Sequence, residues 1–320
     1  MRLKLKLWAV LLGSLLCFEL FVHLFVVSPA KVVFDPKLGP MKAPFSHIVR
    51  TYEGFNQYTN DAFGFNNDPL PQALPKHRLL VLGDSFVEAK HVPRTENFVQ
   101  RLNTLPSVLA YNAGYSGADP RSFSVLVRRF MPVIQPTVLI LTVNADDLTS
   151  LSSESLPPFP TPTGLKAWLQ PLFAHSALLT HLNWKYKPVL QRWWQSWHRQ
   201  AIVRDTESQG LQVYGKRWRH ILQRLKTWHV PIYVVVIPKL RYEGRQAKVE
   251  PDSRKDMLIE VAHAAGVHVL RLEQVFQQAF VQQGIVAFGF MNSHLGTGHL
   301  NAQGHALVAK ALRIKLWLAP

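Results

Sequence analysis

Cysteine is almost absent from the sequence: the chain has a single one, Cys17, inside an apolar N-terminal run. The rest of the chain can therefore form no disulfide within itself and no cysteine-ligated metal site. Acidic residues are scarce too, with 20 against 36 lysines and arginines and a formal net charge of +16. So basic a chain suggests an anionic partner or surface, and nucleic acid is the first to consider. No internal repeat is evident, which argues against solenoids and propellers.

The N-terminus predicts a membrane helix. Residues 1–6 are basic, and residues 8–27 are apolar except for three polar positions. Twenty helical residues at about 1.5 Å each reach roughly 30 Å, the thickness of a bilayer core. Because basic residues stay in the cytoplasm, the rest of the chain is predicted to be exported. We expect residues 1–30 to anchor a single-pass protein in a bacterial-type inner (cytoplasmic) membrane, with the rest of the chain on the periplasmic side and no nucleic-acid partner.

Three features of this segment leave alternatives open. A cleaved signal peptide would have its cleavage site near residues 28–30, although the apolar run is longer than a signal sequence needs. Glu19 weakens the span, because a carboxylate within a membrane is costly or functional. Cys17 is either an apolar filler or a lipid attachment site, and Leu16 before it is larger than a lipoprotein signal requires.

The rest of the chain divides into three parts by composition. Residues 31–76 are rich in proline and asparagine and predict an extended lead-in that packs on the domain. Residues 77–320 alternate apolar strand patterns with amphipathic helix patterns, which predicts an α/β domain with a parallel sheet between helices. We predict strands at 78–83, 108–112, 137–143, 232–237 and 268–270, and helices at 95–102, 120–131, 212–228, 253–265, 272–282 and 302–318.

An insertion at residues 151–205 interrupts the alternation. It has no acidic residue between Glu154 and Asp205, and it contains five tryptophans among lysines and arginines. Two or three short helices are expected here. Tryptophan and basic side chains together suit a glycan or a membrane surface. A helical lid with tryptophans in its core fits the same composition.

Three predicted strands end in polar or small residues. Ser85 follows the first strand in Gly83-Asp84-Ser85, Gly117 follows the second, and Asn144 follows the third. The carboxyl ends of parallel strands share one edge of the sheet, so these residues are expected to form one site. Ser85 would be the nucleophile, with an oxyanion hole from the backbone N–H groups of Ser85 and Gly117 and the side chain of Asn144. The alternative is a set of turn glycines and helix caps.

A general base is expected from histidine. His299 lies in a loop just before the C-terminal helix, from which a side chain can reach the strand ends. His294 and His305 are its neighbours in sequence, so a histidine metal site is the competing idea. No carboxylate accompanies the three, which disfavours a metal. We predict neither metal nor cofactor.

Together these residues resemble the four blocks of the SGNH (GDSL-type) hydrolases. The matching runs are residues 81–86, residues 112–117, Asn144 and residues 298–305, in that order, and residues 60–65 resemble a lead-in common in exported members. The resemblance covers about residues 60–143 and 231–318. It implies a three-layer flavodoxin-like fold and a serine esterase or acyltransferase.

The sequence departs from that family at two positions. The third block is usually Gly-x-Asn-Asp but here has Asn144 followed by Ala145, Asp146 and Asp147. We prefer Asn144 as the oxyanion donor, because an ionised Asp146 cannot donate a hydrogen bond. The family usually has aspartate three residues before the histidine, and that position is Gly296. His299 must then be oriented by another group, or the site is weak or inactive.

The resulting hypothesis is a serine esterase or O-acyltransferase. Its substrates would be acyl (above all acetyl) esters of a cell-envelope glycan or lipid, processed through a Ser85 acyl-enzyme with His299 as base. The alternative is a catalytically weak or inactive module of the same fold that binds a glycan or the membrane surface. The sequence does not indicate an oligomeric state.

Overall fold

A long apolar helix leads into the folded domain. The computed structural model describes residues 2–26, 31–144, 164, 172, 175–182, 186 and 207–316. Helix α1, Arg2–Phe25, contains the segment Lys4–Phe25 with a mean hydropathy of 2.0, and within the described ranges it alone is long and apolar enough to cross a membrane. Its Glu19 carboxylate accepts hydrogen bonds from Ser176 Oγ (2.9 Å) and Leu178 N (3.1 Å). The carboxylate in the apolar helix thus has partners, at the start of a helical turn in the insertion.

The lead-in forms two small antiparallel hairpins. Strands β1 (Val32–Asp35) and β2 (Gly39–Lys42) make one, and β3 (His47–Arg50) and β4 (Asn56–Thr59) make the other. The turn after β4 accounts for the run that resembles exported family members. Phe65 is fully buried there, while Asn67 donates to the carbonyl of Asn112 (2.9 Å) at the end of the second core strand. The lead-in therefore packs against the edge of the sheet where the strands end.

Five parallel strands of the described chain form the central sheet. They are β5 (His77–Leu82), β6 (Val108–Asn112), β7 (Val138–Val143), β8 (Ile232–Val236) and β11 (His268–Arg271). Between β8 and β11 the chain forms an antiparallel hairpin of β9 (Leu240–Glu243) and β10 (Gln246–Val249). Their spatial order is β6-β5-β7-β8-β11. This is the flavodoxin-like order that the resemblance implies, and it puts the reversal of strand order between β5 and β7.

Helices cover both faces, as predicted. They are α2 (Ser85–Glu88), α3 (Phe98–Leu102), α4 (Phe123–Ile134), α5 (Glu207–Lys226), α6 (Ser253–Ala264), α7 (Glu273–Gln283) and α8 (Ala302–Lys315). Leu80 and Leu82 of β5 pack in one core with α4, α5 and α6. Leu79 and Val81 pack in a second core with α3, α7 and α8. Alternate residues of one strand enter opposite cores because side chains alternate across a sheet.

Two local predictions were wrong. Helix α3 begins after Asn97, whose side chain accepts from Val99 N (2.8 Å), and not at Thr95, which lies in a short 3₁₀ turn. The β9–β10 hairpin was not predicted, because each of its strands has only four residues, too few for the alternation of apolar and polar residues to stand out. Asp146 and most of the insertion at 151–205 lie outside the described residues, so the helices expected there stay predictions.

Candidate active site

Ser85 is the first residue of α2, directly beyond the end of β5. The turn requires glycine at position 83, because a Cβ there would lie 2.4 Å from Val87 Cγ2 and 3.0 Å from the carbonyl oxygen of Thr142. Asp84 then caps α2, its Oδ1 accepting from Phe86 N at 2.9 Å. The tight turn and the cap together fix Ser85 at the carboxyl edge of the sheet, where ligands of such folds bind.

The structure brings His299, the base expected from its loop before the last helix, next to Ser85. Its Nε2 lies 2.9 Å from Ser85 Oγ, across 214 positions of sequence. The ring is held between two aromatic neighbours, with centroid distances of 5.1 Å to Phe86 and 4.0 Å to His91. A serine hydroxyl at this distance from an imidazole nitrogen is the geometry that proton transfer from a nucleophile requires.

The group that orients His299 comes from the lead-in. Glu53 Oε1 lies 2.9 Å from His299 Nδ1 and accepts the backbone N–H of His299 at 2.8 Å. One oxygen makes both contacts, and the contact with Nδ1 is an ion-pair contact without the geometry of a hydrogen bond. Ser85, His299 and Glu53 thus form a nucleophile, base and acid chain, in which the acid is a glutamate.

Tight backbone packing puts Glu53 in this position. Glu53 itself has a left-handed φ of 54°, and Gly54 after it has a φ of 91°. A Cβ on Gly54 would lie 2.1 Å from the carbonyl oxygen of His91, and a Cβ on Gly298 would lie 2.2 Å from Glu53 Oε1. Glycine at both positions therefore allows the Glu53 loop to approach the His299 loop.

The structure also explains why position 296 holds no aspartate. Gly296 has a φ of 87°, and a Cβ there would lie 3.0 Å from the Tyr242 ring. A side chain at this position would be strained and would start against Tyr242. In this chain the acid comes from a segment 246 positions earlier than His299.

The charges of the site favour an ionised Glu53 and a neutral His91. Burial on its own raises the pKa of Glu53, but its contacts with His299 outweigh burial and lower the pKa to about 2. Burial, then the proximity of His299, lowers the pKa of His91 to about 2. His91 Nδ1 lies 2.9 Å from the carbonyl oxygen of Glu53, and since that oxygen only accepts, Nδ1 donates. His91 thus supports both the Glu53 backbone and the His299 ring.

Asn144 follows β7 and reaches the same turn as Ser85. Its Nδ2 donates to Asp84 Oδ2 at 2.9 Å, which fixes the orientation of the amide. Burial raises the pKa of Asp84, although the N–H of Phe86 acts in the opposite direction. Asp84 thereby connects the nucleophile turn to the asparagine predicted as an oxyanion donor.

Gly117 is placed less directly. Its φ is 80°, and it does not line the cleft around Ser85 in the described part of the chain. The residue before it, Ser116, donates both its N–H and its hydroxyl to Glu88 Oε2 at the end of α2. Glu88 is buried against Lys42 of β2. Burial on its own raises the pKa of Glu88, but the charges of Lys42 and Lys90 and the hydrogen bonds from Lys42 and Ser116 together hold it well below its usual range. An ion pair from the lead-in therefore positions the Ser116–Gly117 turn.

A cleft of about 580 Å³ opens beside Ser85 and His299. Asn144 is in its wall, together with the β9–β10 hairpin, which contributes Leu240, Arg241 and Tyr242. Lys239 and Arg241 both pair with Glu250 at 3.3 Å on this wall. The cleft is large enough for an acyl ester of modest size and has both apolar and charged walls.

The three neighbouring histidines of the sequence do not form a cluster. His305 is buried against Phe98, with ring centroids 5.7 Å apart, and burial lowers its pKa to about 3. Among the described residues, Glu53, His91 and His299 have ligand atoms within 4.8 Å of one another. A metal there would need a nitrogen of His299, which already contacts Ser85 and Glu53. The donor set therefore fits an acid–base chain better than a metal site.

Comparison with known proteins gives likenesses in structure only. No family model matches the chain, and no curated protein matches it by sequence. A catalytic mutant of the acetylxylan esterase Axe2 from Geobacillus stearothermophilus is 12% identical, with a TM-score of 0.43, over 77% of this chain and 96% of that chain. The psychrotrophic esterase EstA from Pseudoalteromonas sp. is 13% identical, with a TM-score of 0.40, over 75% of this chain and 97% of that chain.

A third similar structure is a putative lipolytic protein of the G-D-S-L family from Desulfitobacterium hafniense. It is 11% identical, with a TM-score of 0.42, over 73% of this chain and 96% of that chain. The solved structures that this chain resembles thus include esterases and a G-D-S-L protein. At such identities and TM-scores they identify no substrate, and the reaction is inferred from the geometry of Ser85, His299 and Glu53.

Proposed function

We propose that the protein is a serine esterase or O-acyltransferase with Ser85 as nucleophile, His299 as general base and Glu53 as the residue that orients the base. The observation that carries the proposal is the continuous chain of contacts from Ser85 Oγ through both nitrogens of His299 to Glu53. Glycine at position 296, where an aspartate was expected, was a reason to consider an inactive binding module. Glu53, in the lead-in, is the acid that contacts His299 instead.

The mechanism follows from these positions. His299 Nε2 takes the proton of Ser85 as Oγ attacks the ester carbonyl, and the ionised Glu53 stabilises the imidazolium that forms. Asn144 and the backbone N–H of Ser85, which both line the cleft, would donate to the oxyanion, and the N–H of Gly117 remains the third donor that the sequence predicts. Collapse of the tetrahedral intermediate breaks the ester C–O bond, and the leaving alcohol takes the proton from His299. Water or an acceptor hydroxyl then attacks the Ser85 acyl-enzyme with His299 as base again.

The substrate and location are part of the same proposal. We place the domain outside a cytoplasmic membrane, held by α1, because the helix is long and apolar enough to span and begins with basic residues. Acyl esters of an envelope glycan or lipid, acetyl esters above all, are the substrates that an enzyme in this position would meet. No cofactor takes part in the proposed steps.

The test uses the full-length protein in detergent. We expect it to hydrolyse p-nitrophenyl acetate, and we expect Ser85→Ala to reduce the rate to the background of the detergent buffer. Mass spectrometry after an incubation with an acetyl donor, with and without a glycan acceptor, separates hydrolysis from transfer. Turnover that is equal in the wild type and in Ser85→Ala would exclude Ser85 as the nucleophile.

A further inference from the structure

The end of α1 is attached to the loop that carries Glu53. Thr51 Oγ1 donates to the carbonyl oxygen of Val26, the first residue after α1, at 2.7 Å. Glu53 is two residues beyond Thr51. If α1 spans a bilayer, its end marks the membrane surface. The loop that carries the triad acid then lies at that surface, and not at the far side of the domain.

Exposed apolar side chains lie on the loops around the attachment of Thr51 to Val26. Tyr52, Phe55, Met291 and Leu295, which we name the apolar rim, have exposed fractions of 47%, 66%, 88% and 56%. The two loops that carry them form one surface, because Asn292 accepts from Gly54 N (2.8 Å) and donates to the carbonyl of Thr51 (2.9 Å). A cluster of large apolar side chains exposed to water is unfavourable and marks a surface that something apolar covers.

The apolar rim continues into the catalytic cleft. Phe55, Met291 and Leu295 line a groove of about 330 Å³. Leu295 lines the cleft that holds Ser85 and His299 as well. An apolar chain that enters from the rim therefore has an apolar path past Leu295 towards the nucleophile.

We propose that the apolar rim lies in the interfacial layer of the membrane that α1 spans, and that the substrate is an acyl ester of a lipid in that bilayer. The proposal rests on the proposed serine hydrolase function and on α1 as an anchor. The ester groups of membrane lipids lie at the boundary between headgroups and hydrocarbon, where tyrosine and other amphipathic side chains are favoured. Attachment of the Glu53 loop to the end of α1 holds Ser85 within reach of that layer. An ester of a soluble polysaccharide would need no apolar rim.

The position of the rim can be measured without activity. In full-length protein carrying Cys17→Ser, a single cysteine is introduced as Met291→Cys, or as Val281→Cys on α7, where valine is 64% exposed. Each variant is labelled with bimane and reconstituted into phosphatidylcholine nanodiscs containing doxyl-labelled lipid. We expect the lipid-borne quencher to reduce the emission from position 291 and not from position 281. Equal quenching at the two positions would overturn the membrane contact.

Substrate choice is measured separately, as the ratio of activity on a vesicle-borne acyl ester lipid to activity on dissolved p-nitrophenyl acetate. We expect Met291→Glu to lower this ratio by roughly threefold or more, because it removes the apolar contact of Met291 with the interfacial layer, and Val281→Glu to leave it unchanged. An unchanged ratio in Met291→Glu, or faster turnover of a soluble glycan ester than of the lipid ester, would refute the lipid substrate. Quenching at 291 in a protein that hydrolyses neither ester would contradict the proposed hydrolase function and retain the membrane contact.

Discussion

Glu53 Oε1 lies 2.9 Å from His299 Nδ1, and this contact joins a loop of the lead-in to the loop before the last helix. It supplies an acid to His299, which has Gly296 at the position where the resemblance predicts an aspartate. The lead-in is therefore part of the site and not only a support for the domain. The predictions below follow from this contact and from the packing around it.

Gly298→Ala should reduce activity by moving Glu53. A Cβ at this position would lie 2.2 Å from Glu53 Oε1. Gly284→Ala is the matched control, because Gly284 also has a left-handed φ but a Cβ there meets open space. Each variant should lose about 1 kcal/mol of stability from backbone strain, while kcat should fall only in Gly298→Ala. A similar kcat for the two variants would mean that the position of Glu53 does not matter.

Gly296→Asp should not restore a triad. In the double variant Glu53→Ala with Gly296→Asp, we expect ester hydrolysis to stay as low as in Glu53→Ala. The reason is that Gly296 has a left-handed φ and that a Cβ at this position would lie 3.0 Å from the Tyr242 ring. Recovery of activity in the double variant would show that the loop adapts to the arrangement of the family.

Much of the site follows from the order of the motifs. Ser85, Asn144 and His299 could be predicted because strand ends in a parallel sheet share an edge, and because the loop before the last helix lies over it. Glu53 was missed because no strand or helix pattern places its loop, and its position depends on the tertiary packing of Gly54 and Gly298. One signal was present: Glu53 is followed by glycine, in a lead-in with only four acidic residues.

In the fold, too, the parts with strong sequence patterns could be predicted, and the parts that depend on tertiary contacts could not. The strands and helices of the core have strong apolar patterns and were predicted within a few residues. The β9–β10 hairpin has strands of only four residues each, and its position in the wall of the cleft is set by contacts with α7. Short surface hairpins depend on such contacts more than on local preference.

Glu88→Gln should destabilise the protein and loosen the turn at Ser116 and Gly117. Loss of the carboxylate leaves the Lys42 charge without its partner, which should cost about 3 kcal/mol of unfolding free energy. Urea denaturation measures this loss, with Glu260→Gln on the exposed face of α6 as control. In the double variant Lys42→Met with Glu88→Gln, part of the loss should be regained. Losses that simply add would show that the pair is not coupled.

Acid should destabilise the protein below about pH 6.5. The pKa values of His91 and His305 are lowered to about 2 and about 3, whereas an unfolded histidine has a pKa of about 6.5. The unfolded chain therefore binds more protons between those values, and stability is complete above about pH 6.5 and falls as the pH is lowered. Each histidine contributes a slope of up to about 1.4 kcal/mol per pH unit.

This slope can be measured by denaturation between pH 6.5 and pH 4. His305→Phe should reduce the slope by up to about 1.4 kcal/mol per pH unit, whatever it does to absolute stability. An unchanged slope in His305→Phe would mean that His305 is not held neutral in the folded protein.

The most direct test of the central claim is the rate at which a fluorophosphonate labels Ser85, followed by intact-protein mass spectrometry. We predict one adduct on the wild type, none on Ser85→Ala, and labelling slower by about 10²- to 10⁴-fold in Glu53→Gln, because an amide cannot stabilise the imidazolium as a carboxylate does. Glu260→Gln should label at the rate of the wild type. A wild type without an adduct, or a Glu53→Gln variant that is labelled as fast as the wild type, would contradict the account.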